Sequence, residues 1–293
     1  MSRFSLLHPT VSFFYFVSVL AVTMFLPNPV MLISALIGSL LFFVKIQKDI
    51  NFIKEFGFYL ILFVIIALSN PLFSHNGVTP LFFLNGNPIT LEAVLYGINI
   101  AVMLIAAVYW FRCFNQIITE DKLLFLFGKI SPKIALLLSS ALRFIPLIKE
   151  QAEKIRKSQT TMGLYASDTW IDKLKGTLRV YSALITWGLE NAIDTGASMK
   201  ARGYGLKGRK HYSLYTFRKS DGMFISFVLV LDAIIISIAA AGGSDFAFYP
   251  QISVPTFNIF SIIAILSFTA LCLLPFILEV KEGLQWKYYR SKI

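Results

Sequence analysis

Within residues 131–210 one triplet has clear chemical potential: Ala201, Arg202 and Gly203. A guanidinium is a planar fork of donors that matches a carboxylate, and a glycine beside it lets another backbone approach closely. That is the chemistry of recognition, with no bond made or broken. A second helix-ending segment lies upstream, where Gln159, Met162 and Gly163 close another basic stretch. Catalytic sets are missing. Intramembrane diphosphate chemistry needs clustered aspartates to hold Mg²⁺, whereas Asn191-Ala192-Ile193-Asp194 supplies one acid with only Glu190 beside it. His8, His75 and His211 are scattered, and Cys113 and Cys272 lack metal-ligand neighbours at useful spacing. The chain is expected to be no enzyme and to bind no cofactor or metal of its own.

Two long helices must position these points. Ser131-Pro132 reads as a helix start, an N-cap residue followed by proline at the first helical position. From there Leu137, Ala141, Phe144, Ile148, Ala152 and Ile155 recur at steps of three and four, which predicts one apolar face. The same step brings Gln159 and Met162 onto it, and Pro146 should kink the helix. Asp168 can cap the second helix, whose predicted stripe is Ile171, Leu174, Leu178, Tyr181, Ile185, Leu189, Ala192, Gly196 and Met199. Arg202 falls one step off that stripe and should point outward, where a cation suits the negative end of the helix dipole. Gly203 and Gly205 then terminate the helix. Taken alone, Ala-Arg-Gly is an ordinary helix ending.

The rest of the chain reads as a membrane protein. Hydrophobic residues make up 56% of the 293 and charged ones only 15%, with the apolar residues in long runs. Residues 112–220 hold 19 of the 27 Lys and Arg and 8 of the 16 Asp and Glu, so they carry the whole net charge of +11. Blocks 69–90 and 243–256 contain no Lys or Arg. This is the positive-inside pattern, and it accounts for the basic balance without nucleic acid. Six spans follow, at about 11–27, 29–44, 56–73, 91–111, 222–242 and 257–278. Asn70-Pro71 lies at the outer end of the third, and 74–90 reads as an outer loop lying against or dipping into the membrane. Residues 134–148 are apolar but short for a span, and Arg143 would cost about 2.5–3.5 kcal/mol near a bilayer centre. They are kept on the cytoplasmic side. The expected fold is an all-α polytopic membrane protein with both termini inside. Its expected parts are 1–111 (four spans), 112–221 (the cytoplasmic helix pair) and 222–293 (two spans with a basic, aromatic tail).

Four segments in order carry a family resemblance: Leu7-His8-Pro9, Asn70-Pro71-Leu72-Phe73, Leu142-Arg143-Phe144-Ile145-Pro146, and Ser198-Met199-Lys200-Ala201-Arg202-Gly203-Tyr204. The chain resembles the transmembrane T component (EcfT/CbiQ-like) of energy-coupling factor (ECF) type ABC importers for vitamins or transition metals. It departs from the family at Ser158-Gln159-Thr160-Thr161-Met162-Gly163, where Met162 holds the position the family fills with arginine. The resemblance implies a multi-pass protein of a prokaryotic cell membrane that does not hydrolyse ATP itself. It implies two ABC-type ATPase subunits as partners, binding ATP and Mg²⁺, and a small substrate-binding membrane subunit. Residues Gln159, Met162 and Gly163 and residues Ala201, Arg202 and Gly203 would then meet the ATPases, with Arg143, Pro146, Asn70 and Pro71 as structural or coupling-helix positions. The competing reading is a stand-alone channel or secondary carrier using Asp232, a lone acid in the middle of the fifth expected span.

Overall fold

The computed structural model describes residues 4–47, 52–74, 76–84, 87–163, 169–206, 215–243, 246–252 and 258–290, with the side chains of 52–56, 84, 87 and 287 left aside. After a 3₁₀ turn at Phe4–Leu6 come α1 (Pro9–Phe25), α2 (Pro29–Ile46) and α3 (Phe52–Phe73), then strands β1 (Pro80–Leu84) and β2 (Asn87–Thr90). Helices α4 (Leu91–Ile117), α5 (Glu120–Ile130), α6 (Pro132–Thr161), α7 (Trp170–Ala201), α8 (Lys219–Ala240) and α9 (Ile259–Arg290) follow. The chain divides into two compact units, one made of Met1–Leu123 with Tyr215–Ile293 and the other of Leu124–Leu214.

Local chemistry explains the helix starts in the first unit. Proline occupies the first turn of α1 and α2, where its missing N–H costs nothing. The residue before each proline caps the helix: His8 Nδ1 accepts from the Thr10 N–H, and Asn28 Oδ1 from the Val30 N–H. Thr90 Oγ1 does the same for the Ala93 N–H at the start of α4.

All six apolar segments expected from the sequence fold as helices. Four of them, α2, α4, α8 and α9, are long and apolar enough to cross a membrane. Helix α1 and the stretch 57–73 of α3 are apolar but shorter. Seventeen residues of α1 make about 26 Å of helix against about 30 Å of hydrocarbon.

The core of this unit is aromatic. Phe4 is fully buried and meets Tyr15, Phe16 and Phe42 edge-on, with centroids 5.2, 5.8 and 5.6 Å away. Edge-to-face contact sets the positive ring edge on the negative face of the next ring. Trp110 is also fully buried, between α1 and α2. Backbones approach closely where a side chain is missing: a Cβ on Gly38 of α2 would sit 2.8 Å from the Cys272 Cβ of α9. The Tyr15 hydroxyl closes the layer by donating to the Leu271 carbonyl at 2.9 Å.

Residues 74–90, expected as a loop, form a hairpin instead. Strand β1 pairs antiparallel with β2, Leu84 opposite Asn87 and Phe83 opposite Pro88, with an irregularity between Pro80 and Phe82. Asn85 and Gly86, between the strands, lie outside the described residues; in sequence, Asn-Gly is the dipeptide that tight hairpins favour. That pair was the available sequence signal.

In the second unit α6 and α7 pack on each other. Helix α6 runs unbroken through Pro146. Ser131 occupies its N-cap position but makes no side-chain cap bond. The expected cap Asp168 lies outside the described residues, and Thr169 is the N-cap of α7. The predicted stripe of α7 needs correction. Ile171, Leu174, Leu178, Tyr181, Ile185 and Leu189 are all exposed. Gly196 and Met199 of that stripe are half-buried; the other half-buried positions are Asp172, Val180, Ala183, Leu184, Trp187, Gly188, Asn191 and Thr195, with Gly176 buried. On α6, Leu137, Ala141 and Ile148 are exposed while Phe144, Ala152, Ile155 and Gln159 are half-buried. The physical reason is that α7 is apolar on two faces: the one with Val180, Leu184 and Trp187 is half-buried, and the one with the large residues from Ile171 to Leu189 is left exposed.

Candidate functional site

The two points singled out in the sequence end the two long helices, and their backbones superimpose in kind. Met162 caps α6 at φ −80°, ψ 8°, and Arg202 caps α7 at φ −81°, ψ 9°. Each is followed by a glycine at φ +80°, Gly163 and Gly203. That left-handed conformation is where glycine belongs. At α7 the pattern is a full Schellman ending: the Gly203 N–H donates to the Lys200 carbonyl at 2.9 Å and the Tyr204 N–H to the Met199 carbonyl at 3.0 Å. At α6 the Gly163 N–H donates to the Thr160 carbonyl at 3.1 Å, the equivalent inner bond. Around Gly163 a Cβ would meet nothing within 4 Å, so another backbone has room to approach.

The side chains differ. Met162 is 76% exposed, and Arg202 is exposed with no ion pair among the described residues. Gln159, one turn before Met162, has its Oε1 shielded and without a hydrogen-bond partner among the described residues. On the flank of α6, Glu150 pairs with Lys154 at 2.8 Å, which lowers the carboxyl pKa; both are well exposed, so the pair adds little stability.

The ends are separate points. Helix α7 has 32 residues and is about 48 Å long. The chain from Thr161 to Trp170 reaches at most about 30 Å when extended. Met162 and Arg202 therefore lie at least about 15 Å apart. They are two separate points, not one composite site.

Other residues fall elsewhere. Arg143 and Pro146 are exposed on α6. Asn70 and Pro71 belong to the first unit, where the Asn70 amide donates to the Ala93 carbonyl at 2.8 Å and to the Tyr249 hydroxyl at 3.3 Å. That role is structural, tying the end of α3 to the start of α4. Asp232 accepts from the Ser18 hydroxyl at 2.9 Å, a helix–helix bond between α8 and α1. Sequence reasoning missed Lys122. It is 6% exposed, and its ammonium donates to the Ser5 carbonyl at 2.7 Å and the Ile117 carbonyl at 2.8 Å. Burial lowers its pKa. Beside Glu120 and Asp121 in sequence, it reads as a solvated lysine and carried no signal.

The sequence profile of the cobalt transport protein family CbiQ matches residues 2–212. The chain belongs to that family. Its relatives include proteins named energy-coupling factor transporter transmembrane protein EcfT. The one from Listeria innocua is 34% identical over 105 residues, 35% of this chain and 40% of the relative. That from Brevibacillus brevis is 35% identical over 102 residues, 33% of this chain and 38% of the relative. That from Bacillus subtilis is 30% identical over 110 residues, 37% of this chain and 42% of the relative. The matched stretches thus span about two fifths of those relatives. Family membership and the apolar helices together make this a multi-pass protein of a bacterial cell membrane.

Proposed function

We propose that the chain is the energy-coupling transmembrane subunit of an ECF-type ABC importer for a vitamin or a transition metal ion. Helices α1, α2, α3, α4, α8 and α9 span the membrane with both termini inside, and α6 and α7 lie on the cytoplasmic side. The chain performs no catalysis. ATP and Mg²⁺ belong to two ABC-type ATPase subunits, and the substrate to a separate small membrane subunit. The ends at Met162-Gly163 and Arg202-Gly203 each dock into one ATPase. The α6–α7 pair carries the motion of those ATPases toward the substrate-binding subunit, whose contact is the uncovered face Ile171, Leu174, Leu178, Ile185 and Leu189.

The observation that carries this reading is the pair of ends: Met162-Gly163 and Arg202-Gly203, two exposed termini of the two long helices, too far apart for a single partner pocket. Arg202 suits a groove with a carboxylate, because its fork can take both oxygens while Gly203 admits the partner backbone. Met162 suits an apolar groove, since a flexible thioether fills irregular space without a counter-charge. The hydrogen bond from Ser18 to Asp232 favours a structural acid over an ion relay.

Affinity purification of the tagged protein from its native membrane, wild type beside Arg202→Glu, tests the proposal. ABC-type ATPases and a small membrane protein should accompany wild type, and the ATPases should be lost from the variant. Absence of any ATPase from both preparations overturns the reading.

A further inference from the structure

The β1–β2 hairpin is the part of the first unit least suited to water. Leu81, Phe82 and Phe83 are 55, 53 and 69% exposed, and Val78 just before them is exposed too. From 56 to 91 the sequence has no Asp, Glu, Lys or Arg, so nothing charged accompanies this surface. A two-stranded hairpin is marginal in water, and an exposed apolar edge strand there invites aggregation.

The hairpin is nevertheless held firmly at its base. Ile89 and Thr90 of β2 are buried, and β2 leans on α3 and α4. The Glu92 carboxylate accepts from the Thr79 hydroxyl at 2.8 Å, and the Thr90 hydroxyl donates to the Asn76 carbonyl at 2.6 Å. Gly77, at φ +132°, lets the chain pass, because a Cβ there would come within 2.7 Å of Thr90 Oγ1. The base is built and polar, and only the β1 side is bare.

We propose that this hairpin is a lipid-binding finger: β2 rests on α3 and α4, and Leu81, Phe82 and Phe83 face the acyl chains at the bilayer interface. Continuity names the occupant. The hairpin joins the ends of α3 and α4, whose own side chains there (Leu72, Phe73, Leu91, Leu95) are exposed and apolar, so the surface is one lipid-facing band. Depth follows from the backbone. A two-stranded sheet leaves the outer edge of β1 without ladder partners, and such groups are not tolerated inside hydrocarbon. The finger therefore lies in the headgroup and upper acyl region, where apolar faces sink about 5–10 Å. It fixes the ends of α3 and α4 at that surface. The inference does not rest on the proposed function.

The test uses the full-length chain, purified with whatever subunits accompany it and reconstituted in phosphatidylcholine–phosphatidylglycerol vesicles. A bimane fluorophore is attached at Phe82→Cys or, separately, Phe83→Cys; Cys113 and Cys272 are buried and stay unlabelled. Lys157→Cys, exposed on α6, serves as the aqueous control. Bromine near the headgroup end of the acyl chains should quench the hairpin labels about two-fold or more, and more than bromine near the chain ends. Aqueous iodide should quench them less than the control. Iodide quenching equal to the control without bromine quenching would put the hairpin in water. Protection from both quenchers would mean that protein, a second subunit or another copy, covers it. Either result overturns the proposal. The replaced side chains are exposed, so a variant that misfolds leaves the neighbouring one to decide.

Discussion

Arg202→Ala separates a docking residue from a structural one. In the free chain Arg202 is exposed, makes no ion pair among the described residues, and contributes to folding mainly through backbone bonds that alanine also makes. Its removal should therefore change thermal stability by no more than about 0.5 kcal/mol, the range for surface substitutions. If Arg202 sits against a partner carboxylate in the assembled importer, truncation leaves that acid buried and unpaired, at about 2–5 kcal/mol. At 1.4 kcal/mol per tenfold this weakens the ATPase contact by about 30-fold to several thousand-fold. Arg202→Lys keeps the charge without the fork and should fall between. The assay is a titration of ATPase subunits onto the chain in nanodiscs, with the melting temperature of each variant measured alongside. Wild-type affinity for Arg202→Ala would refute the docking assignment. A fall in melting temperature matching the lost affinity would show instead that Arg202 holds the helix end.

Met162→Leu should dock normally, since both side chains fill an apolar groove, whereas Met162→Glu and Met162→Arg should weaken the same titration about tenfold or more by burying an unpaired charge. Gly203→Ala should loosen the last turn of α7 more than Gly163→Ala loosens that of α6, read by amide hydrogen exchange. Both pay about 1–2 kcal/mol for a left-handed alanine, but only at Gly203 does the new Cβ press Leu206 Cδ1, at 3.0 Å. Lys122→Met should lower the melting temperature at neutral pH by leaving the Ser5 and Ile117 carbonyls without their donor, at about 1–3 kcal/mol. The folded pKa of Lys122 is lowered, so the unfolded chain holds its proton more tightly. That site's contribution therefore rises as pH climbs from the folded pKa towards the ordinary lysine value, and the variant should lose this slope.

What the sequence revealed and concealed follows from which interactions are local. Apolar runs, the N1 proline Pro132, and the terminating glycines Gly163 and Gly203 act within a turn or two of chain, and each appears where the spacing predicts. The orientation of α7 was misread because that helix has two half-apolar faces. Its larger residues, from Ile171 to Leu189, dominate any reading by hydrophobicity. The half-buried face is the one with Val180, Leu184 and Trp187, and no local periodicity separates it from the other. Lys122 was illegible for a different reason: one carbonyl that holds it belongs to Ser5, far away in sequence. A lysine in a helix beginning Glu120-Asp121 reads as solvated. The candidate site was visible as residue types, but its key feature was not. The exposure of Met162 and Arg202 and the separation of the two ends depend on how α6 and α7 pack, and the sequence alone shows two unlike side chains beside glycines.

The contrast between the two units bears on how such a chain could transmit force. The first has a continuous aromatic core around Phe4 and Trp110, where truncating a large side chain costs about 3–5 kcal/mol. The second has no buried residue on α6 and only Gly176 on α7, so its helices are held mainly by their own backbone bonds and by one shallow contact. Few buried contacts mean low local stability and easy opening. An element that must take two arrangements needs that freedom, but it transmits nothing while it frays. Stiffness in α6 and α7 must then come from whatever covers their exposed faces. Hydrogen exchange should accordingly slow far more in α6 and α7 than in α4 when the free chain joins its partners. Equal protection of all three in the free chain would remove this argument, because the helix pair would already be rigid alone.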